Sequence, residues 1–250
     1  HPFAADAVDQ LAADGHKRVA VFATSAWGGY SACRQYDEDI VKLCEAHPEI
    51  EFTKLWQFYA HPIFIKLMAD HVRAAWEKAD QATTRVLFTA HSVPNVADDV
   101  SGGPTDPNLY SRQVAEASRL IALEAGVPDY EVVWQSRSGD PRTPWLEPDI
   151  VDRTEEIDDA GEGVKHIICV PVGFITDHME VIWDLDTELK EACEERGITL
   201  DRTPTVGLEP VFAELVLDLI DNTAAGTEPK SLSTITTQGC TINGAPCKEG

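Results

Sequence analysis

The sequence predicts an α/β fold in which parallel sheets are flanked by helices on both faces. Three observations carry that reading. Short apolar runs alternate with longer amphipathic stretches along most of the 250 residues, which is the pattern of repeated strand–helix units. Two runs, Arg85-Val-Leu-Phe-Thr-Ala90 and His166-Ile-Ile-Cys-Val-Pro171, are nearly continuous in apolar residues, as strands buried on both faces are. No internal repeat recurs at a solenoid period.

Taken in order, Phe3, Val8 and Leu11 mark a helix over 3–14, followed by a strand over 18–24. Helix 32–46, strand 51–57 and helix 62–79 come next. Lys78-Ala-Asp-Gln-Ala-Thr-Thr84 is then a polar break and a domain boundary. Strand 84–90, helix 107–125, strand 131–135, helix 148–159 and strand 166–171 repeat the alternation. In helix 178–196, Ile182, Leu185, Leu189 and Ala192 recur at helical spacing and form the buried stripe. A helix over 208–221 closes the pattern, and 222–239 loses periodicity among Thr, Ser, Gly and Pro. The chain opens at His1, inside a helical pattern, so a natural N-terminus further upstream is expected.

Composition narrows the function. A formal charge of −23, from 43 acidic against 20 basic residues, repels a phosphate backbone and argues against nucleic acid. No run of eighteen apolar residues offers a membrane span, and no signal peptide is visible. Cys44, Cys169 and Cys193 sit in helix or strand patterns and read as small core residues. Cys33, Cys240 and Cys247 lie in loop contexts.

Two stretches carry the chemistry. Phe88-Thr-Ala-His91-Ser-Val-Pro94 ends one buried run in a histidine, and Val170-Pro-Val-Gly-Phe-Ile-Thr-Asp177-His178-Met-Glu180 ends another in Asp, His and Glu. In an open parallel sheet ligands collect beyond the carboxyl ends of the strands, so the two ends read as walls of one cleft. Imidazole and carboxylate together hold a divalent metal or move protons. Asp177, Glu180, Asp184, Glu188, Glu191 and Glu195 follow steps of three and four, a row of carboxylates along one side of a helix. The outer three read as a solvated face. The loop from Val133 to Pro148, with Trp134 and Trp145, can floor a flat apolar ligand or simply pack. The Gly-rich loop Ala23–Tyr36 lacks the spacing and the lysine of a nucleotide site.

Phe88–Pro94, Trp134-Gln-Ser-Arg137 with Pro144-Trp-Leu146, and Pro171–Asp186 together resemble ferrochelatases, which insert Fe(II) into a porphyrin. Ser31-Ala-Cys33-Arg-Gln-Tyr36 is most similar to the actinobacterial branch, whose substrate is coproporphyrin III and whose product is coproheme. The resemblance implies two Rossmann-like lobes, the first incomplete by about a hundred residues. Their division would be 1–78 and 79–205, with 206–222 a helix packing back on the first lobe and 223–250 a Cys-containing extension. It implies His91 and Glu180 as the catalytic and metal-site pair, with His178, Asp184 and Asp177 around them and Tyr36 against the porphyrin. It further implies a [2Fe–2S] cluster on Cys33, Cys240 and Cys247, although such a cluster takes four Cys and the tail shows no third. A cytoplasmic monomer acting on porphyrin and ferrous iron follows. The rival readings are a protoporphyrin IX ferrochelatase, a cobalt chelatase, and a metal- or porphyrin-binding module without turnover.

The chemistry agrees with the resemblance. A neutral imidazole, with an unperturbed pKa of about 6.5, is a suitable acceptor for a pyrrole proton. Imidazole and carboxylate hold Fe(II) less tightly than a thiolate cage, and Trp- and Pro-rich walls can distort a macrocycle.

Overall fold

The computed structural model describes residues 1–102 and 106–235. Its order is α1 (Ala4–Ala13), β1 (Arg18–Val21), a π-helical turn Tyr30–Arg34 running into α2 (Gln35–Ala46), β2 (Glu51–Lys54) and α3 (Pro62–Trp76). There follow β3 (Thr84–His91), α4 (Asn95–Asp99), α5 (Leu109–Ala125), β4 (Glu131–Gln135), α6 (Ile150–Asp159) and β5 (His166–Val170). Then come α7 (Met179–Trp183), a second π turn Asp184–Leu189, α8 (Lys190–Glu195), β6 (Thr199–Arg202) and α9 (Pro210–Ala225).

Every strand pairing is parallel. β1 pairs with β2, and the main sheet runs β4-β3-β5-β6. The sheet is buried on both faces, as its apolar strands require. Val86, Phe88 and Ala90 of β3 join Ile168 and Val170 of β5 in a core shared with α3, α5 and α9. The alternate residues Leu87, Ile167 and Cys169 face the other way, against Val181, Leu185, Leu189 and Cys193. Each such buried aliphatic side chain contributes about 1.5–3 kcal/mol. Phe212 of α9 meets Phe58 edge-on at 5.8 Å, which holds the last helix beside α3. Beyond it the chain returns: Leu232 N–H donates to the Ala60 carbonyl at 2.9 Å, and the Tyr59 hydroxyl to that of Ile235 at 2.7 Å.

The structure departs from the sequence reading in particular places. The expected continuous helix 178–196 is two α segments joined by a π turn, and Ile182, expected in the stripe, is 44% exposed. The buried residues Val181, Leu185, Leu189 and Cys193 are spaced by fours. On an α-helix that spacing drifts by about 40° per step, or about 120° over three steps. A π turn, with more residues per turn, takes up the drift and keeps the row on the sheet. β6 was unforeseen because Thr199-Leu-Asp-Arg202 is a polar edge strand with one aliphatic residue. Among the described residues no helix is long and apolar enough to cross a membrane.

Candidate active site

His91 is the last residue of β3, opposite Gln135 at the end of β4. Two contacts fix it. The buried Tyr110 hydroxyl donates to the His91 carbonyl at 2.7 Å, and burial pushes that phenol well above its ordinary pKa, so it stays a donor. His91 Nδ1 lies 2.5 Å from the Ser92 carbonyl. A carbonyl only accepts, so Nδ1 carries the proton, and in the neutral ring Nε2 presents a lone pair. Glu180 Oε2 stands 3.9 Å from that nitrogen. The gap is too long for a hydrogen bond. It is within reach of one metal ion bound to both, since bonds from His or carboxylate to a first-row divalent metal are about 2.0–2.2 Å each.

The loop after β5 completes this wall. Gly173 N–H donates to the Thr89 carbonyl at 3.1 Å, and the Gly173 carbonyl accepts from Trp27 Nε1 at 3.0 Å. Its backbone lies so close to β3 that a Cβ would sit 2.6 Å from Ala90 Cβ. On the opposite side Gly28 N–H donates to Gln113 Oε1 at 2.6 Å. That holds Gly29, at φ 130°, and the π turn beyond it. Between the walls is a cleft of about 610 Å³ lined by Tyr30, Ser31 and Tyr36, by Pro94, Trp145 and Phe174, and by His91, His178 and Glu180. That volume is ordinary for a small-molecule site. Among its described lining residues there is no Lys or Arg. The Pro94 and Trp145 segments are joined by an antiparallel bridge, so the Trp-containing loop is both a packed element and a cleft wall.

The structure thus brings His91, Glu180, His178 and Tyr36 to one cleft. His178, at the start of α7, packs edge-on against Phe174 at 5.0 Å. It does not bring the other two carboxylates there. Asp177 pairs with Arg202 at 3.0 Å. Asp184 turns toward β4, where Oδ2 accepts from Gln135 Nε2 at 3.2 Å and from Ser136 Oγ. The expected row is accordingly divided among three surroundings. Cys33 is buried in the first π turn and is not a cleft residue. Beside it Lys54 and Asp37 form a buried pair at 2.6 Å, and burial raises the Asp37 carboxyl against the lowering pull of Lys54. Cys240 and Cys247 lie outside the described residues. Among the described residues no group of three or more His, Cys, Asp or Glu gathers to hold a metal.

Sequence reasoning missed Tyr30, Trp27, Tyr110 and Gln113. Tyr30 follows the Gly28-Gly29 pair, which was a usable signal. Tyr110 and Gln113 lie within an amphipathic helix, and nothing in its periodicity marks which residue reaches a neighbouring loop.

The chain resembles known proteins over most of its length. A family model described as ferrochelatase matches residues 1–224. A coproporphyrin III ferrochelatase of Corynebacterium glutamicum (strain R) is 51% identical over 258 residues, covering 100% of this chain and 69% of that protein. One from Nocardia farcinica is 48% identical over 258 residues, covering 100% and 72%. Among solved structures, SirB from Bacillus subtilis with Fe3+ superposes with a TM-score of 0.63 at 15% identity, covering 90% of this chain and 79% of that one. That likeness is one of fold.

Proposed function

The chain belongs to the ferrochelatase family, and from that premise we propose that it inserts Fe(II) into coproporphyrin III to give coproheme, a lyase step of haem biosynthesis. The observation that carries the site assignment is the His91 Nε2 lone pair facing Glu180 across 3.9 Å at the wall of an aromatic cleft. Insertion replaces two pyrrole N–H protons by one Fe(II). His91 Nε2 accepts a pyrrole proton, and the Glu180 carboxylate meets the incoming iron and accepts the second proton. A single carboxylate ligand suits a metal that must leave, because the macrocycle supplies the nitrogens that receive it. Tyr30, Tyr36, Trp145 and Phe174 give the flat ligand its stacking surfaces. Among the described lining residues the hydroxyls of Tyr30, Ser31 and Tyr36 meet its carboxylates.

The same reading includes a two-lobed division near 78–79, a helix 206–222 belonging with the first lobe, and a cytoplasmic monomer without a nucleic-acid partner. It also places a [2Fe–2S] cluster on Cys33 and the tail residues Cys240 and Cys247. Tyr59, which holds Ile235, lies 6.1 Å ring to ring from Trp27, just ahead of the π turn that carries Cys33. Cys240 is five residues beyond Ile235, a span of at most about 18 Å. Cys169 and Cys193 are fully buried in the core between the main sheet and the α7–α8 segment, so neither is proposed as the fourth ligand. Iron and sulfide analysis of anaerobically purified protein tests this: Cys33→Ser is expected to lose the cluster, and unchanged content removes Cys33 from the ligand set.

The activity is tested by following the Soret band when the protein meets Fe(II) with coproporphyrin III or protoporphyrin IX. Metallation of coproporphyrin in preference to protoporphyrin is expected. Preference for protoporphyrin, or a binding shift that never becomes metallation, overturns the proposal in favour of the alternative substrate or of a binding module.

A further inference from the structure

We propose that Asp184, Gln135 and Thr89 form a brace that sets the separation of His91 and Glu180; the proposal rests on the assignment of that pair above. Gln135, at the end of β4, is 1% exposed and reaches both walls. Its carbonyl accepts from Ser92 N–H at 2.7 Å, and its side-chain Oε1 accepts from the Thr89 hydroxyl at 3.2 Å. Its Nε2 donates to Asp184 Oδ2 at 3.2 Å. Thr89 stands two residues before His91 on β3, and side chains so spaced share a face. Asp184 stands four residues after Glu180, one helical turn on. One amide therefore ties the strand that ends in His91 to the helix that carries Glu180.

The donors and acceptors fit in one orientation only. With Oε1 given to a hydroxyl and Nε2 to a carboxylate, the Gln135 amide cannot flip without opposing like groups. Ser136 adds a second donor to the same Asp184 oxygen, and does so from the left-handed region at φ 65°. A non-glycine residue there costs about 1–3 kcal/mol unless its surroundings hold it. Asp184 Oδ2 thus has two protein donors and acts as an anchor. Asp184 is a positioning residue rather than a stage through which iron passes.

The alternatives separate in a kinetic experiment on the full chain, with kcat and the KM for Fe(II) read apart. Gln135→Leu cuts the brace and leaves the Asp184 charge. Asp184→Asn removes the charge and leaves an oxygen that accepts both hydrogen bonds. A brace predicts that Gln135→Leu lowers kcat by about tenfold or more, since displacement of about 1 Å at a reacting centre costs up to about a hundredfold. Its iron KM should move less than about threefold. Asp184→Asn should keep most of the turnover that Asp184→Ala loses. The proposal is overturned if Gln135→Leu turns over at the parental rate, or if Asp184→Asn raises the iron KM about tenfold. Should Gln135→Leu fail to fold, Thr89→Val, which removes only a hydroxyl, is judged by the same kcat criterion. His91→Ala run in parallel separates the two readings: activity retained there defeats the catalytic pair, whereas activity retained only in Gln135→Leu defeats the brace alone.

Discussion

The chemistry proposed for His91 depends on what holds it. The Ser92 carbonyl fixes the tautomer at Nδ1 and the Tyr110 hydroxyl fixes the backbone. Tyr110→Phe removes one hydrogen bond at modest cost, about 1 kcal/mol. It should lower kcat while leaving porphyrin affinity near the parental value, which a fluorescence titration alongside turnover checks. Gly173 is the stricter position. A methyl group there meets Ala90 at 2.6 Å, and such overpacking costs about 1–3 kcal/mol. Gly173→Ala should lower the thermal midpoint and depress insertion by moving the end of β3, although His91 itself is unchanged. That His91 and Glu180 meet at one cleft was legible in the sequence because each closes an apolar run, and run ends are where a parallel sheet presents its ligands. Gln113, Tyr110 and Trp27 were not, since their partners are 85, 19 and 146 residues away. No local spacing encodes that.

At the scale of elements, the α7–π–α8 segment shows why a hydrophobic pattern has to be read with its period. The spacing by fours was present in the sequence, but a reading tied to 3.6 residues per turn put Ile182 inside and Val181 outside it. Deleting Thr187 should convert the π turn to α-helix and keep the stripe on the sheet, because the spacing becomes four, three, four and Leu189 and Cys193 fall within about 20° of Val181. The expected result is a folded protein with a melting temperature near the parental one; a sharp loss of stability would show that the packing needs the π turn itself. Cys193 offers a second test of this packing. Burial raises its thiol from 9.0 to about 11. The stability from the neutral thiol is therefore fully present below pH 9 and is lost as pH rises through about 11. Denaturation midpoints across that window should fall more steeply for the parent than for Cys193→Ala.

Over the whole molecule, the parallel α/β plan was legible because alternation of strand and helix leaves few topologies open. The unforeseen parts were the short polar ones, β6 and α4, which owe their form to neighbours more than to composition. The net charge of −23 acts at this scale too. It attracts Fe(II) and repels an anionic porphyrin, and salt screens both at about 10 Å in 0.1 M and about 3 Å in 1 M. Raising ionic strength should increase the KM for iron and decrease that for porphyrin; a common direction for both would contradict the electrostatic account. The most direct measurement remains the anaerobic rate of Fe(II) insertion into coproporphyrin III by the full chain and its His91→Ala and Glu180→Gln variants. Both variants should still bind porphyrin, seen as a Soret shift, and fail to metallate it. Insertion at the parental rate by His91→Ala would contradict the account.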